Sequence, residues 1–159
     1  MGSTSLIAPG ERILLDSVAL IYFLGTHPRY GTLATELVTR VVMGEVSGVV
    51  STVAIPEVLS REYQESPKRA HALHHQFVTM PNVDWVEVSM AVADRAAHLR
   101  ARYNLSTPDA IHAATALQRG TDWLVTNDRK LRRVEAEGIR VWLFDDHLDD
   151  GTTASPPDP

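Results

Sequence analysis

Four acidic residues occupy places from which a folded chain can gather carboxylates: Asp16, Glu57, Asp109 and Asp128. Each lies in apolar sequence, in LLDSV, AIPEVL, TPDAIHAA and LVTND, and no lysine or arginine falls within these windows. A charge in such surroundings is costly unless a partner or a metal neutralises it. If the fold brings the four together, a hard cation would relieve their repulsion, and oxygen-only ligation suits Mg²⁺ or Mn²⁺. The chemistry that such a site supports is attack of a metal-activated water on a phosphodiester. Taken singly, each acid has a structural explanation. Asp16 and Asp128 can cap helices, and Glu57 and Asp109 can be first-turn acids favoured by the helix dipole. The case for a site therefore rests on the four together.

The elements that must position them can be read from periodicity. Arg12 to Leu15 is a short apolar run ending at Asp16, followed by the helix-like VALIYFLG. Thr32 to Met43 carries Leu33, Leu37, Val38, Val41 and Val42 at helical spacing, with Gly44 as a stop. Ser47 to Thr52 is a β-branched strand leading to a helix from Ile55 or Pro56, with Glu57 in its first turn. A helix over Pro67 to about Met80 and a strand within Asn82 to Val88 follow, and Ser89 opens a helix over Met90 to Tyr103. Thr107-Pro108-Asp109 places a hydroxyl at the N-cap, proline at N1 and an acid in the first turn, and Gly120 closes that helix. Trp123 to Thr126 is a fourth strand, Asp128 to Glu137 a charged helix closed by Gly138, and Ile139 to Phe144 a fifth strand.

Strands alternating with helices predict an α/β fold with a mainly parallel five-stranded sheet covered by helices on both faces. In such sheets ligands bind beyond the carboxyl ends of the strands, near the point where strand order reverses. Asp16 and Asp128 follow strands one and four, and Glu57 lies just after strand two. The expected organisation is an N-terminal extension over residues 1–11, one domain over 12–147, and a small, polar, proline-containing tail over 148–159 that is too poor in apolar residues to order.

The chain has 159 residues, 44% hydrophobic and 22% charged, which is the composition of one globular domain. Its formal net charge of −5 argues against a protein that coats nucleic acid non-specifically, yet an acidic metal site with a local basic rim remains compatible with it. The absence of cysteine excludes disulfide scaffolds, thiolate nucleophiles and zinc sites with sulfur ligands. The first residues, MGSTSLIAPGER, lack a basic start followed by an apolar run, and no stretch approaches the ~20 apolar residues of a membrane span. A cytoplasmic location is the expectation.

The succession LLDSVALIYFL, STVAIPEVLSREY, LSTPDAIHAATAL and WLVTNDRKLRR, over roughly residues 12 to 145, is similar to the PIN-domain pattern. It most closely resembles the bacterial and archaeal virulence-associated protein C (VapC) toxins. The first two motifs are weak alone, whereas PDAIHAATAL followed by LVTND is quite specific. The resemblance implies a PIN-like three-layer α/β/α fold. It also implies a toxin of a type II toxin–antitoxin system, a ribonuclease holding Mg²⁺ or Mn²⁺ at Asp16, Glu57, Asp109 and Asp128, with Thr126 supporting the fourth acid. Its RNA substrate would be tRNA, rRNA or mRNA. A cognate VapB-like antitoxin would silence it by laying its C-terminal segment between the early helices, and the toxin would form a homodimer. Two departures are Ser17, where members often carry threonine, and a longer N-terminal extension; neither touches a ligand.

His112, three residues after Asp109, shares its helix face, a spacing seen in carboxylate–imidazole metal sites. Because the implied ligands are all oxygen, a histidine packed or hydrogen-bonded near the core is the expectation. His71, His74 and His75 lack a companion acid and read as a solvated or interface face. Arg129, Lys130, Arg132 and Arg133 follow Asp128 directly and could hold RNA phosphates, with a solvated helix face nearly as good a reading. The acidic run Asp145, Asp146, Asp149 and Asp150 reads as exposed surface. Leu33, Leu37, Val41, Leu59, Tyr63, Leu73 and Phe77 supply core, with a surplus fit for partner binding. The competing reading is a catalytically silent PIN module acting as a protein- or RNA-binding scaffold, which retention of all four acids opposes. An acid-dependent α/β phosphatase would need Asp-x-Asp after strand one, where Asp16-Ser17-Val18 stands instead.

Overall fold

The computed structural model describes residues 3–148. Among these, five strands form one parallel sheet in the order β3-β2-β1-β4-β5. The strands are β1 (Arg12–Leu15), β2 (Ser47–Ser51), β3 (Val83–Val86), β4 (Trp123–Thr126) and β5 (Arg140–Leu143). The helices are α1 (Ser17–Leu24), α2 (Gly31–Val42), α3 (Ala54–Glu65), α4 (Pro67–Val78), α5 (Met90–Tyr103) and α6 (Thr107–Arg119). The expected architecture is thus present, and the sheet is parallel throughout.

A central parallel strand is covered on both faces, so RILL is a continuous apolar run rather than an alternating one. Ile13 and Leu15 face a core built with α1 to α4 through Leu20, Leu37, Val41, Leu59 and Phe77. Leu14 points the other way, into a core built with α5, α6 and the segment 129–137 through Val92, Leu99, Ala113, Leu131 and Val134. Two cores on one sheet make the three layers. Close approach of α2 to β2 depends on Gly48, where an added Cβ would stand 2.9 Å from Cγ1 of Val41.

Helix α6 is short-sided on its sheet face. Ala110, Ala113, Ala114 and Ala116 are all buried, and Ser106 caps the helix by accepting from the Asp109 N–H at 3.2 Å. The cap is therefore one residue earlier than Thr107, because the Ser106 side chain reaches the N3 amide while Thr107 has already turned helical. The segment Arg129–Glu137 is a 3-10 helix and not the α-helix expected of it. Leu131 and Val134, three apart, are its buried pair, a spacing that fits three residues per turn.

The N-terminal extension is anchored: Ser3–Leu6 forms a 3-10 turn, Ile7 is buried, and the Arg40 guanidinium donates to the carbonyls of Thr4 and Ile7 at 2.8 and 2.7 Å. Most of the expected tail, with Asp149 and Asp150, lies outside the described residues. Asp145 is a correction to the exposed-surface reading, which Asp146 bears out. Asp145 is half-buried, accepts from the Tyr30 hydroxyl, and its N–H donates to Oδ1 of Asn127 at 3.0 Å; Asp146 accepts from Arg132. Among the described residues, no helix is long and apolar enough to cross a membrane.

Candidate active site

Strand order reverses at β1, since β2 lies on one side of it and β4 on the other. A crevice is expected beyond the carboxyl ends of β1 and β4. Asp16 follows β1 directly, and its N–H donates to the carbonyl of Val125 in β4 at 3.2 Å. Asp128 is two residues past the end of β4. Helix α6 descends to the start of β4, so its first turn, with Asp109, lies at the opposite, carboxyl end of the sheet. Glu57 is in the first turn of α3, which begins shortly after β2. The N-termini of α1, α3 and α6 thus carry three of the four acids, where the positive ends of helix dipoles offset part of their charge.

Asp16 is the deepest, at 5% exposure. Its Oδ1 caps α1 by accepting from the Ala19 N–H at 3.2 Å. Burial pushes its carboxyl up to about 6; the nearby His112, the Thr126 hydroxyl and the Ala19 amide pull it down, and the Asp109 carboxylate pushes it further up. Asp109 is therefore close enough to repel Asp16. Its own Oδ2 accepts from the Ser106 hydroxyl at 2.5 Å. The Asp128 N–H donates to Oγ1 of Thr126 at 3.1 Å, and Asp128 Oδ1 accepts from the Lys130 N–H at 2.9 Å.

Glu57 meets His112, whose expected place was packed or hydrogen-bonded near the core. Nε2 of His112 stands 2.8 Å from Glu57 Oε1, with the imidazole 1% and the Glu57 side chain 28% exposed. Nδ1 of His112 is buried without a described partner. The sole signal in the sequence was the three-residue offset from Asp109. Asn127 was missed as well: it joins Asp145 to Tyr22 by accepting from the Asp145 N–H and donating to the Tyr22 hydroxyl at 3.2 Å.

Asp16 thus feels Asp109, His112 and Thr126, and two of these are contacted by the other acids, His112 by the Glu57 carboxylate and Thr126 by the Asp128 N–H. Glu57, Asp109 and Asp128 each have one oxygen oriented by a protein donor and a second with no described hydrogen bond. This donor set suits a hard cation, being oxygen-only and centred on a buried carboxyl that lacks a guanidinium or ammonium partner. As placed, however, no three His, Asp or Glu side chains among the described residues converge closely enough to hold an ion.

In the basic run, Arg129 lies 3.7 Å from Asp146, Arg132 pairs with Asp146 and with Glu135 at 3.6 Å, and Arg133 donates to the Tyr103 carbonyl at 2.9 Å. Lys130 is exposed. A groove of about 690 Å³ lies elsewhere, between α5 and α6, and is lined by Arg95, His98, Arg102 and Glu137 among others. His71 meets Tyr63 edge to face, with Nδ1 3.5 Å from the Tyr63 hydroxyl.

A parallel sheet with reversed order at its centre, covered by helices on both faces, defines a three-layer α/β/α protein. The chain belongs to the PIN domain family, whose model matches residues 13–137. The fold is shared with several solved toxin–antitoxin proteins. A toxin–antitoxin complex from Klebsiella pneumoniae is 25% identical, with 76% of this chain and 89% of that one covered and a TM-score of 0.53. DNA-bound VapBC from Salmonella typhimurium is 19% identical, with 84% and 98% covered and a TM-score of 0.64. VapC20 of Mycobacterium tuberculosis, a sarcin–ricin-loop-cleaving toxin, is 15% identical, with 80% and 95% covered and a TM-score of 0.63. No curated protein matches the chain by sequence.

Proposed function

We propose that this chain is a VapC-type toxin, an endoribonuclease that hydrolyses RNA phosphodiester bonds with Mg²⁺ or Mn²⁺ held by Asp16, Glu57, Asp109 and Asp128. The observation that carries the reading is Asp16, a buried carboxyl fixed at the strand-order reversal, raised toward neutrality and set against a second carboxylate. Burying like charges together costs stability and is tolerated where function requires it. The toxin class is supported by family membership and by the solved complexes that share the fold.

The residues divide the work by position. When bound, the cation would offset charge on the scissile phosphate and ease loss of a proton from an attacking water. Asp16 and Asp109 would hold it. Glu57 and Asp128 would each add a second oxygen, the first carboxylate being oriented by His112 and the other by the Lys130 N–H, with Thr126 fixing the backbone at Asp128. Arg129 and Lys130, adjacent to Asp128, would receive flanking phosphates. In the cell the protein would be cytoplasmic, homodimeric and silenced by a VapB-like antitoxin.

The second reading is a catalytically silent PIN scaffold, favoured by the absence of any three convergent ligands among the described residues. Incubation of the purified protein with structured RNA in Mn²⁺, beside Asp16→Asn, decides between them. Cleavage that the substitution abolishes supports the enzyme, and binding without cleavage supports the scaffold.

A further inference from the structure

Buried histidines need a reason when the surrounding face is built from alanine. His112 lies on α6 beside the buried Ala113 and Ala116, and it is 1% exposed. An alanine there would let α6 pack on the sheet as its neighbours do. The histidine instead reaches Glu57 on α3, 55 residues earlier in the chain, at 2.8 Å. It is also close enough to Asp16 to oppose that carboxyl's burial. One imidazole therefore contacts Glu57 and acts on Asp16, two acids that come from different elements.

We propose that His112 is a positioning residue, whose Nε2 holds Oε1 of Glu57 so that Glu57 presents its other oxygen toward Asp16 and Asp109. The proposal rests on the metal-dependent reading above. Its geometry is specific. Glu57 is on a first helical turn with a side chain 28% exposed, and a glutamate so placed has rotamers that lead away from the site into solvent. The hydrogen bond from a buried, rigidly packed ring removes them. Carboxylates that bind cations are commonly held in this way, by a donor to the oxygen not used for the ion. Nδ1 is unpartnered, so the ring makes no competing side-chain bond that would draw it from Glu57. The cost of burying that orphan nitrogen is unexplained by packing and is accounted for if the ring is retained for Glu57.

Two substitutions of similar size separate the hydrogen bond from the packing. His112→Leu keeps volume and removes the donor; His112→Gln keeps a donor at about the place of Nε2. Mn²⁺ affinity is read by titration calorimetry with Mn²⁺ alone, RNA cleavage by kcat and KM, and folding by circular dichroism. His112→Leu is expected to weaken Mn²⁺ binding and to lower kcat, each about 10–100-fold as for loss of other orienting partners, with little change in KM for RNA. His112→Gln is expected to recover most of both. In a Glu57→Ala background, His112→Leu should cause no further loss, because the two act through one contact.

Unchanged Mn²⁺ affinity in His112→Leu overturns the proposal. Equal loss in His112→Gln, or unfolding of both variants, assigns the residue to packing and overturns it too. A further loss in the Glu57→Ala background would make His112 act on the ion directly. If the wild-type protein binds no Mn²⁺ and cuts no RNA, the functional reading itself falls and the proposal with it, an outcome distinct from wild-type binding that His112→Leu leaves intact.

Discussion

The N–H of Asp16 donates to the carbonyl of Val125 at 3.2 Å, tying the residue that ends β1 to the adjacent strand β4. With the Asp16 side chain also capping α1 through the Ala19 N–H, the carboxyl has backbone restraint on both sides. It cannot leave the site without unmaking the start of α1. Replacing Asp16 by Asn keeps an oxygen for that cap and removes the charge. Asp16→Asn and Asp109→Asn are each expected to lower RNA cleavage on the order of 10²–10³-fold, the loss typical of removing one preorganised electrostatic group, with far-ultraviolet circular dichroism unchanged. Unfolding instead of inactivity would assign these acids to structure.

The same burial predicts a pH dependence. Asp16 is pushed up to about 6, well above the ordinary aspartate range, chiefly by desolvation. A carboxyl raised in the folded state leaves stability intact below the unfolded value and costs stability as pH rises from about 4 through 6. The difference corresponds to about 3 kcal/mol at 1.36 kcal/mol per unit. Metal-free Asp16→Asn should therefore be more stable than the wild type at pH 7–8, and the advantage should vanish near pH 4. Denaturant unfolding at several pH values measures this. A variant less stable than the wild type at pH 8 contradicts it.

Much of the fold was legible because its signals are local. The limits of β1 and β4 follow from RILL and WLVT, apolar runs that only a doubly covered parallel strand accommodates. The four acids were legible for the same reason, since charge in apolar sequence stands out. Partners distant in sequence were not legible. His112 and Glu57 are 55 residues apart and Tyr30 and Asp145 115 apart, and nothing local in either segment records the other. The 3-10 form of residues 129–137 was also hidden. Leu131 and Val134 are three apart, a spacing that the 3.6-residue period of an α-helix also tolerates.

Divalent cation should stabilise the folded protein by mass action, because a cation that neutralises the clustered acids binds only where they are clustered. At a Mn²⁺ concentration of about 100 times Kd the gain is about 2.7 kcal/mol. A thermal melt with and without millimolar Mn²⁺ should show a rise in Tm that Asp16→Asn abolishes. A Tm indifferent to Mn²⁺ in the wild type counts against the metal site.

Glu137 supplies a test of the distal layer. Its carboxylate accepts from the Tyr103 hydroxyl at 2.7 Å and pairs with Arg102 at 3.2 Å and Arg95 at 3.1 Å, joining the 3-10 segment to α5. The Tyr103 hydroxyl leads the effects that hold this carboxyl below its ordinary range, so its stabilisation is present above the unfolded value and is lost as pH falls. Glu137→Gln should cost about 1–2 kcal/mol of stability, in the range of charge-assisted hydrogen bonds, and leave RNA cleavage unchanged. Loss of cleavage at full stability would place this layer in the RNA path.

The basic run decides where RNA lies. Arg132 is held by Asp146 and Arg133 by the Tyr103 carbonyl, so Arg129, at 3.7 Å from Asp146, and exposed Lys130 are the cations most free to meet phosphate. Replacing both by Gln in an Asp16→Asn background measures binding without turnover. Affinity should fall, and the slope of log affinity against log salt should flatten by about 1.4, at ~0.7 per single-strand phosphate contact. In the otherwise wild-type chain the bonds cut should stay the same, since phosphate contacts position rather than specify. An unchanged slope would make this segment a solvated face. Because Arg102 is engaged by Glu137, the search for the RNA path would then turn first to Arg100 on α5.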